Sequence, residues 1–382
     1  MAQPIRKPTY YNSAEAQTRK TVKPVVKSVK FEKKSPNSSA FRRVVLIVFA
    51  AILFKYVFPF MYVNYTRPLF IGPVNEAVTT NYWHLYNPTT DYLKNDLFAG
   101  ENFLKGAEEK HPAMQSMAEN GNMPVLNAKL NSLISQYPTV TPSVYVWDYE
   151  TGKSVNIKSE EQFPAASIIK VPVLLELFRS IEAGQVNIED RMHLTEYYRS
   201  GGSGELQYSP AFSTFSIDKL ARVMIQNSDN TATNMLMSDM GGMVDVNSAI
   251  RNWGIKHTYV QNWLPDLGGT NLTCSKDIAT MLYNIDNPSF LSLKSRGFIV
   301  DYMSHVKNNR LIQAGLPKNA IFMHKTGDIG TMLGDAGIVW TPNGKKYIVV
   351  ILAKRPYNSP QGKDFIVKAS TIIYDAISSR TF

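Results

Sequence analysis

The stretch FPAASIIKVPVLLELF, Phe163 to Phe178, decides how the rest of the chain is read. Its apolar spacing fits a helix, expected over Ala166–Ile181, with Pro172 either inside the first turn or kinking it. Ser167 and Lys170 stand at i and i+3, so on such a helix they share a face. A serine hydroxyl is a weak nucleophile and needs a base beside it. A lysine serves as that base only when burial or nearby positive charge lowers its pKa; Phe163, Ala165, Val171, Val173 and Leu174 offer apolar surroundings. Spacing alone is not diagnostic. Ser216/Lys219 and Ser304/Lys307 repeat it, and an ordinary Ser and Lys on one helix face is the plainer reading of any isolated case.

The pattern around this stretch is regular from about Pro124. Val125–Gln136 places Leu126, Leu130 and Leu133 on one helical face. Ser143–Trp147 and Ser154–Ile157 flank Tyr149-Glu150-Thr151-Gly152 as a β-hairpin. From about 180 to 310 alternating strands are missing, and helices are expected at Ile217–Gln226, Thr231–Met240, Val244–Trp253, Ser275–Ile285 and Leu291–Val306. Strands return at Ala320–Lys325, Leu333–Thr341 and Lys346–Ala353, the last two joined by Pro342-Asn343-Gly344. Asp364–Ser378 closes as a helix. This order implies an α/β (α+β) fold: an antiparallel sheet flanked by terminal helices, with an all-helical subdomain at about 180–318 inserted between strands.

Two further strings carry chemistry. In QNSDNTATNMLM, Ser228 could relay a proton to a leaving nitrogen and Asn230 could hydrogen-bond a substrate amide. A helix N-cap explains Ser228-Asp229-Asn230 equally well, since all three residue types cap and a helix follows. His324-Lys325-Thr326-Gly327 ends an expected strand. Lys325 would face a substrate carboxylate, Thr326 could hydrogen-bond it, and Gly327 would remove bulk where a ligand lies along the strand edge. A strand running into a turn accounts for the same four residues.

Together and in this order, the three strings resemble the motif set of penicillin-recognising serine enzymes. The likeness is to the class A β-lactamase-like family and covers about Pro124 to Phe382. The hairpin ahead of Ser167, the SDNTATN string and the GDAGIVW strand carry it, and Tyr208-Ser209-Pro210 matches the family's tyrosine on the substrate wall. The resemblance implies that Ser167 attacks a carbonyl and becomes acylated while Lys170 takes its proton. By the same likeness Ser228, linked to Lys325, protonates the departing nitrogen; Asn230 contacts the substrate's side-chain amide; Lys325 and Thr326 hold its carboxylate. The backbone N–H groups of Ser167 and Asp328 would form the oxyanion hole. The implied partner is a small-molecule β-lactam or a D-Ala-type peptide, with no cofactor and no metal.

One departure bears on turnover. The family's omega loop carries a Trp-Glu-Pro-Glu-Leu-Asn-like string whose first glutamate drives deacylation. This chain reads Trp263-Leu264-Pro265-Asp266-Leu267-Gly268, so Leu264 takes the glutamate's place, Gly268 that of the asparagine that helps hold the water, and Asn262 that of an anchoring arginine. A leucine cannot deprotonate water, and positioned general-base catalysis contributes roughly 10²–10⁴-fold. Asp266 and Glu205 are the carboxylates that could substitute. The resemblance thus implies a serine hydrolase acting on amide bonds with doubtful deacylation. The alternatives are a penicillin-binding-like peptidase or transferase, and a non-catalytic domain that captures β-lactam or peptidoglycan as a sensor.

Composition excludes several other classes. The chain has 382 residues, 44% of them hydrophobic, enough to build a core. Its single cysteine, Cys274, rules out an internal disulfide, and none of the six histidines pair at zinc-ligand spacing. The net charge of +10 comes from one end: residues 1–43 hold 11 Lys/Arg against 2 acids, leaving 30 bases against 29 acids elsewhere. No nucleic-acid partner is therefore expected, and the body is read as a monomer.

The tail 1–43 is expected to be disordered and cytoplasmic. Residues 44–63 read as a transmembrane anchor interrupted by Lys55, with a buried core helix or a cleaved signal peptide as alternatives. Residues 64–123 read as a stalk, and 124–382 as the hydrolase domain. The localisation this implies is a single pass through the cytoplasmic membrane, N-terminus inside, catalytic domain outside.

Overall fold

The computed structural model describes residues 113–382. Helix α1 (Pro124–Ser135) leads into the hairpin β1 (Thr141–Asp148) and β2 (Ser154–Ile157). A two-residue strand β3 (Phe163–Pro164) precedes a 3₁₀ turn, Ala166–Ile169, and helix α2 (Lys170–Glu182). Short strands β4 (Arg191–His193) and β5 (Thr214–Ser216) pair with each other. Helices α3 (Ile217–Gln226), α4 (Asn230–Asp239) and α5 (Gly242–Asn252) follow, then β6 (Leu272–Thr273), α6 (Ser275–Asp286) and α7 (Leu293–Ser304). The chain closes with β7 (Ile321–Asp328), β8 (Met332–Trp340), β9 (Lys346–Lys354) and α8 (Gln361–Ser379).

The main sheet is antiparallel, in the order β2-β1-β9-β8-β7. Its central strands are apolar on both faces because both faces are covered. On β9, Tyr347, Val349, Ile351 and Ala353 join one hydrophobic cluster with Leu126, Leu130, Phe365 and Ile373 of α1 and α8. The intervening Ile348, Val350 and Leu352 join the other cluster, with Leu174, Leu282 and Met303 of the helical half. The two-residue period of a strand is thus intact, though hidden in a continuous apolar run. At the centre of the helical half, α2 is buried from Lys170 through Phe178, which suits a helix apolar nearly all round.

The turn before α2 differs from expectation in a useful way. Ala166–Ile169 is 3₁₀ and the α-helix proper begins at Lys170, so Pro172 falls in the first turn and removes no helical hydrogen bond. With 3.0 residues per turn, 3₁₀ geometry eclipses i and i+3, which stacks Lys170 over Ser167.

Residues 113–123 lie along the body. The Met114 N–H donates to Trp253 O at 3.0 Å, the Trp147 Nε1–H to Ala118 O at 3.0 Å, and Asn122 bridges Ser154. Met114, Met117 and Met123 are buried.

The expected localisation is corrected here. Among the described residues no helix is long and apolar enough to cross a membrane. The longest described helix, α8, has 19 residues but carries Lys363, Asp364, Lys368 and Asp375, which a bilayer core would not tolerate. The tail 1–43, the segment 44–63 and residues 64–112 lie outside the described residues, and the single-pass topology with an outside body is withdrawn.

Candidate active site

The three strings meet at one cavity of about 330 Å³, lined among others by Ser167, Ser228, Lys325, Thr326, Gly327 and Asp328. Lys170 Nζ lies 2.9 Å from Ser167 Oγ and donates to Asn230 Oδ1 at 2.9 Å. Asn230 Nδ2–H donates in turn to Gly201 O at 2.9 Å. From the other side Lys325 Nζ donates to Ser228 Oγ at 3.0 Å and to Thr326 O at 2.8 Å. Ser167, Ser228 and Lys325 therefore face one space from the turn before α2, from the approach to α4 and from β7, with Lys170 buried behind Ser167.

Both lysines are fully buried, and burial disfavours their charged forms. The Lys170 pKa falls well below the usual lysine value, first through burial and then through the nearby Lys325 charge, with Asp229 opposing. Burial brings Lys325 down to about 7, against the opposing pull of Asp335. That carboxylate lies behind β7. It accepts from Ile312 N–H at 3.1 Å and sits 2.8 Å from His324 Nδ1.

Two backbone positions that favour glycine are taken by other residues here: Ala166 (φ 44°), just before Ser167, and Ser228 (φ 57°). Such conformations cost of order 1–3 kcal/mol and persist where the surroundings fix them. For Ser228 the fixing is visible. Asp229 is the N-cap of α4, its Oδ1 accepting from Ala232 N–H at 2.9 Å and its Oδ2 from Leu206 N–H at 2.9 Å. One string thus does both things its residue types allow: the aspartate caps the helix, while the serine and the asparagine reach the two lysines. Gly204 makes room for this cap, since a Cβ there would fall 2.1 Å from Asp229 Oδ2. At Gly327 a Cβ would meet Ala166 Cβ and Ile168 Cγ1 at 3.1 Å, so β7 runs hard against the turn that carries Ser167.

The Asp328 carboxylate is held by two arginines and a backbone N–H at the cavity wall. Its Oδ1 accepts from Gly330 N–H at 2.9 Å and Arg355 Nη2–H at 2.7 Å, and its Oδ2 from Arg310 Nη2–H at 2.6 Å. Tyr208 is 76% exposed and is not among the cavity's lining residues, whereas exposed Glu205 is.

The loop around Leu264 is clamped by groups the sequence reading passed over. Leu264 N–H donates to Asn234 Oδ1 at 3.0 Å, and its carbonyl accepts from Asn234 Nδ2–H at 2.8 Å and from the Ser200 hydroxyl. Asn271 Oδ1 accepts from the N–H groups of Gln261 and Asn262 at 2.7 and 2.8 Å. Asp266 spends both oxygens inside the loop, on Thr270 Oγ1–H at 2.9 Å and Asn271 N–H at 2.7 Å. The Leu264 side chain is buried and the Leu264–Pro265 peptide is cis. Asn234 was in plain view within SDNTATN; nothing in the sequence marks its partner in a distant loop. No group of His, Cys, Asp and Glu among the described residues could hold a metal ion.

Paired serine–lysine contacts on a sheet with an inserted helical half define a serine enzyme of the class A β-lactamase type. The match to known proteins is specific: residues 125–377 fit the model of the β-lactamase enzyme family, and the chain belongs to that family. Over 247 residues it is 24% identical to a β-lactamase of Streptomyces fradiae, covering 61% of this chain and 80% of that one. It is 26% identical over 246 residues to β-lactamase 3 of Bacillus cereus, covering 60% and 74%. Among solved structures, PBP-A is 36% identical, with a TM-score of 0.67 over 69% of this chain and 100% of that one. A PBP-A variant with one leucine replaced by glutamate, solved as an acyl-enzyme with penicillin G, is likewise 36% identical with a TM-score of 0.67. An ancestral class A β-lactamase shares the fold at 22% identity and a TM-score of 0.62.

Proposed function

We propose that this chain is an acyl-serine enzyme of the penicillin-binding kind, which opens β-lactams and D-Ala-type cell-wall peptides to a covalent ester on Ser167 and releases that ester slowly. The observation that carries this is the pair of serine–lysine contacts, 2.9 Å at Ser167–Lys170 and 3.0 Å at Ser228–Lys325, at one cavity.

In the forward step neutral Lys170 takes the Ser167 proton as Oγ bonds to the substrate carbonyl carbon, and the amide C–O π electrons move to oxygen. The N–H groups of Ser167 and Asp328 stabilise that oxyanion. Charged Lys325 and the Thr326 hydroxyl hold the substrate carboxylate. As the C–N bond breaks, Ser228 gives its proton to the departing nitrogen, and the proton on Lys170 restores the Ser228 hydroxyl. Asn230 keeps Lys170 aimed and offers its amide to the substrate.

Slow release follows from Leu264. The loop supplies no free carboxylate in its stead, because Asp266 is spent on Thr270 and Asn271. The PBP-A acyl-enzyme with penicillin G, though formed by a variant of that protein, supports acylation chemistry on this scaffold. The test is intact mass over time with a penicillin, against Ser167→Ala. A lasting adduct on the wild type alone is expected. Rapid drug loss without a lasting adduct would replace this reading with a working lactamase, and no adduct together with no drug loss would remove it.

A further inference from the structure

Beside the catalytic cavity lies a second, of about 310 Å³, lined among others by Tyr197, Tyr198, Arg199, Trp263, Leu264 and Pro265. It is at the small end of ligand sites, with room for one ring rather than a chain. Tyr197 stands edge-on to Tyr198 (5.3 Å between centroids, 78°) and to Trp263 (6.3 Å, 72°), so the three rings form a concave aromatic corner. Tyr197 is 74% exposed, so the outer ring of the corner is open to solvent.

The corner is held rigid. Arg199 grips Glu196 through two bonds of 2.9 Å and donates to the carbonyls of Gln207 and, at 3.0 Å, Ser209. Ser200 ties the segment to Thr231 through a 3.0 Å bond and to the Leu264 carbonyl.

The two cavities share a wall. Ser200 and Gly201 face the aromatic side, while Ser203, Gly204 and Glu205 face the catalytic side. Between them the backbone crosses as Gly201-Gly202-Ser203-Gly204, a ridge almost bare of side chains. A Cβ at Gly202 would sit 3.2 Å from Asn230 Nδ2 and 3.8 Å from Pro265 Cβ, so any larger residue there would raise the ridge between the site and the loop. A substrate bound at Ser167 can therefore lie across a low saddle and reach the rings.

We propose that this corner is a subsite for a neutral sugar ring carried on the acyl side of the peptide substrate, an inference that rests on the acyl-serine reading above. The chemistry selects the ligand. The one charge among the residues lining the corner, Arg199, is paired with Glu196 and donates to two carbonyls, so the corner offers no net charge to select an anion or a cation. A pyranose presents a face of weakly positive C–H groups, which the negative faces of aromatic rings attract. Its hydroxyl rim would meet the exposed Tyr197 side, while the Tyr198 hydroxyl is engaged by Ser238 of α4.

The test compares a D-Ala-D-Ala peptide with the same peptide joined to N-acetylmuramic acid, using the full chain. The sugar-bearing peptide should show at least a 10-fold lower KM. Tyr197→Ala should erase that advantage and Tyr197→Phe, which keeps the ring, should retain it, while penicillin adduct formation is the same in all three. Equal KM for the two peptides, or an advantage that survives Tyr197→Ala, overturns the subsite. Direct titration of N,N′-diacetylchitobiose into Ser167→Ala protein, with and without Tyr197→Ala, reads the corner independently of acylation. Saturable binding that needs Tyr197 supports it, and no binding at millimolar sugar overturns it. Sedimentation with phosphatidylcholine vesicles that depends on Tyr197, without sugar binding, would assign the rings to a lipid surface instead. Failure of the acyl-serine reading shows separately, as absence of a penicillin adduct on the wild type.

Discussion

Replacing Leu264 by glutamate should convert a lasting acyl-enzyme into one that turns over. Asn234 bonds the backbone N–H and carbonyl of Leu264, not its side chain, so the clamp survives the substitution. The missing element is a general base, worth roughly 10²–10⁴-fold, or about 3–5 kcal/mol at 1.36 kcal/mol per decade. The cost falls on stability. The leucine side chain is buried, and exchanging it for a carboxylate forfeits about 1.5–3 kcal/mol of apolar burial before any desolvation of charge. The variant should therefore be less stable and yet deacylate at least a hundredfold faster. The assay is the half-life of the penicillin adduct by intact mass, with Leu264→Gln as a control of similar shape and no basicity. An adduct lifetime within threefold of wild type in a folded Leu264→Glu protein would show that residue 264 does not address the ester, and the account of slow release would fall with it.

Three other outcomes follow from particular contacts. Asn234→Ala orphans the buried Leu264 N–H while Ser200 still serves the carbonyl, and should cost about 2–4 kcal/mol in urea unfolding, with new protease cleavage between residues 261 and 271. The lowered lysine pKa values set a pH window. Lys325 keeps its charge below about 7 and loses it above, so kcat/KM for acylation should fall as pH rises through that value. Lys170 must be neutral to act and supplies the acidic limb; Lys325→Arg, which stays charged, should move the alkaline limb upward, and an unmoved limb would assign it elsewhere. Glu176, buried on α2, is raised by burial to about 7 from the ordinary 4.5, so its carboxyl prefers to be neutral in the fold. The resulting penalty is absent below 4.5 and complete above about 7, and Glu176→Gln should add about 3 kcal/mol of stability at pH 8.5 and almost none at pH 4. Equal gains at both pH values would contradict it.

What the sequence revealed depended on how local each signal was. Helix α3 was readable to its ends because Ser216 caps it, accepting from Lys219 N–H at 3.2 Å, and Ile217, Leu220, Ala221 and Met224 repeat at helical spacing. The sheet was readable because Pro342-Asn343-Gly344 marks a turn between two apolar runs. The 3₁₀ turn at Ala166–Ile169 was not, since an apolar stretch looks alike in either helix. The strands β3 and β6 hold two residues each and show no period. The Asn234–Leu264 clamp, the gathering of Arg310 and Arg355 on Asp328, and the aromatic corner at Tyr197 join residues far apart in the chain, which composition and spacing do not report. The apolar run at 44–63 shows the opposite hazard: a strong local signal produced a localisation that the described helices do not support.

The sheet's strand order also dictates a timetable. β1, close to the start of the domain, has β9 as its inner neighbour, with Val146 opposite Val349, and just after α1 the Tyr137 hydroxyl donates to Asp364 of α8. None of these contacts can form until the last strand and the helix after it have left the ribosome, so β1 and β2 must wait as an isolated hairpin with the β1 edge open. The helical half, built mostly from neighbours in sequence, has no such delay. Pulse-labelled hydrogen exchange during refolding should protect α2, α3 and α4 before β1, and simultaneous protection would show that the sheet does not lag. In the cell the same delay would expose the hairpin to aggregation for as long as synthesis of the final strands takes.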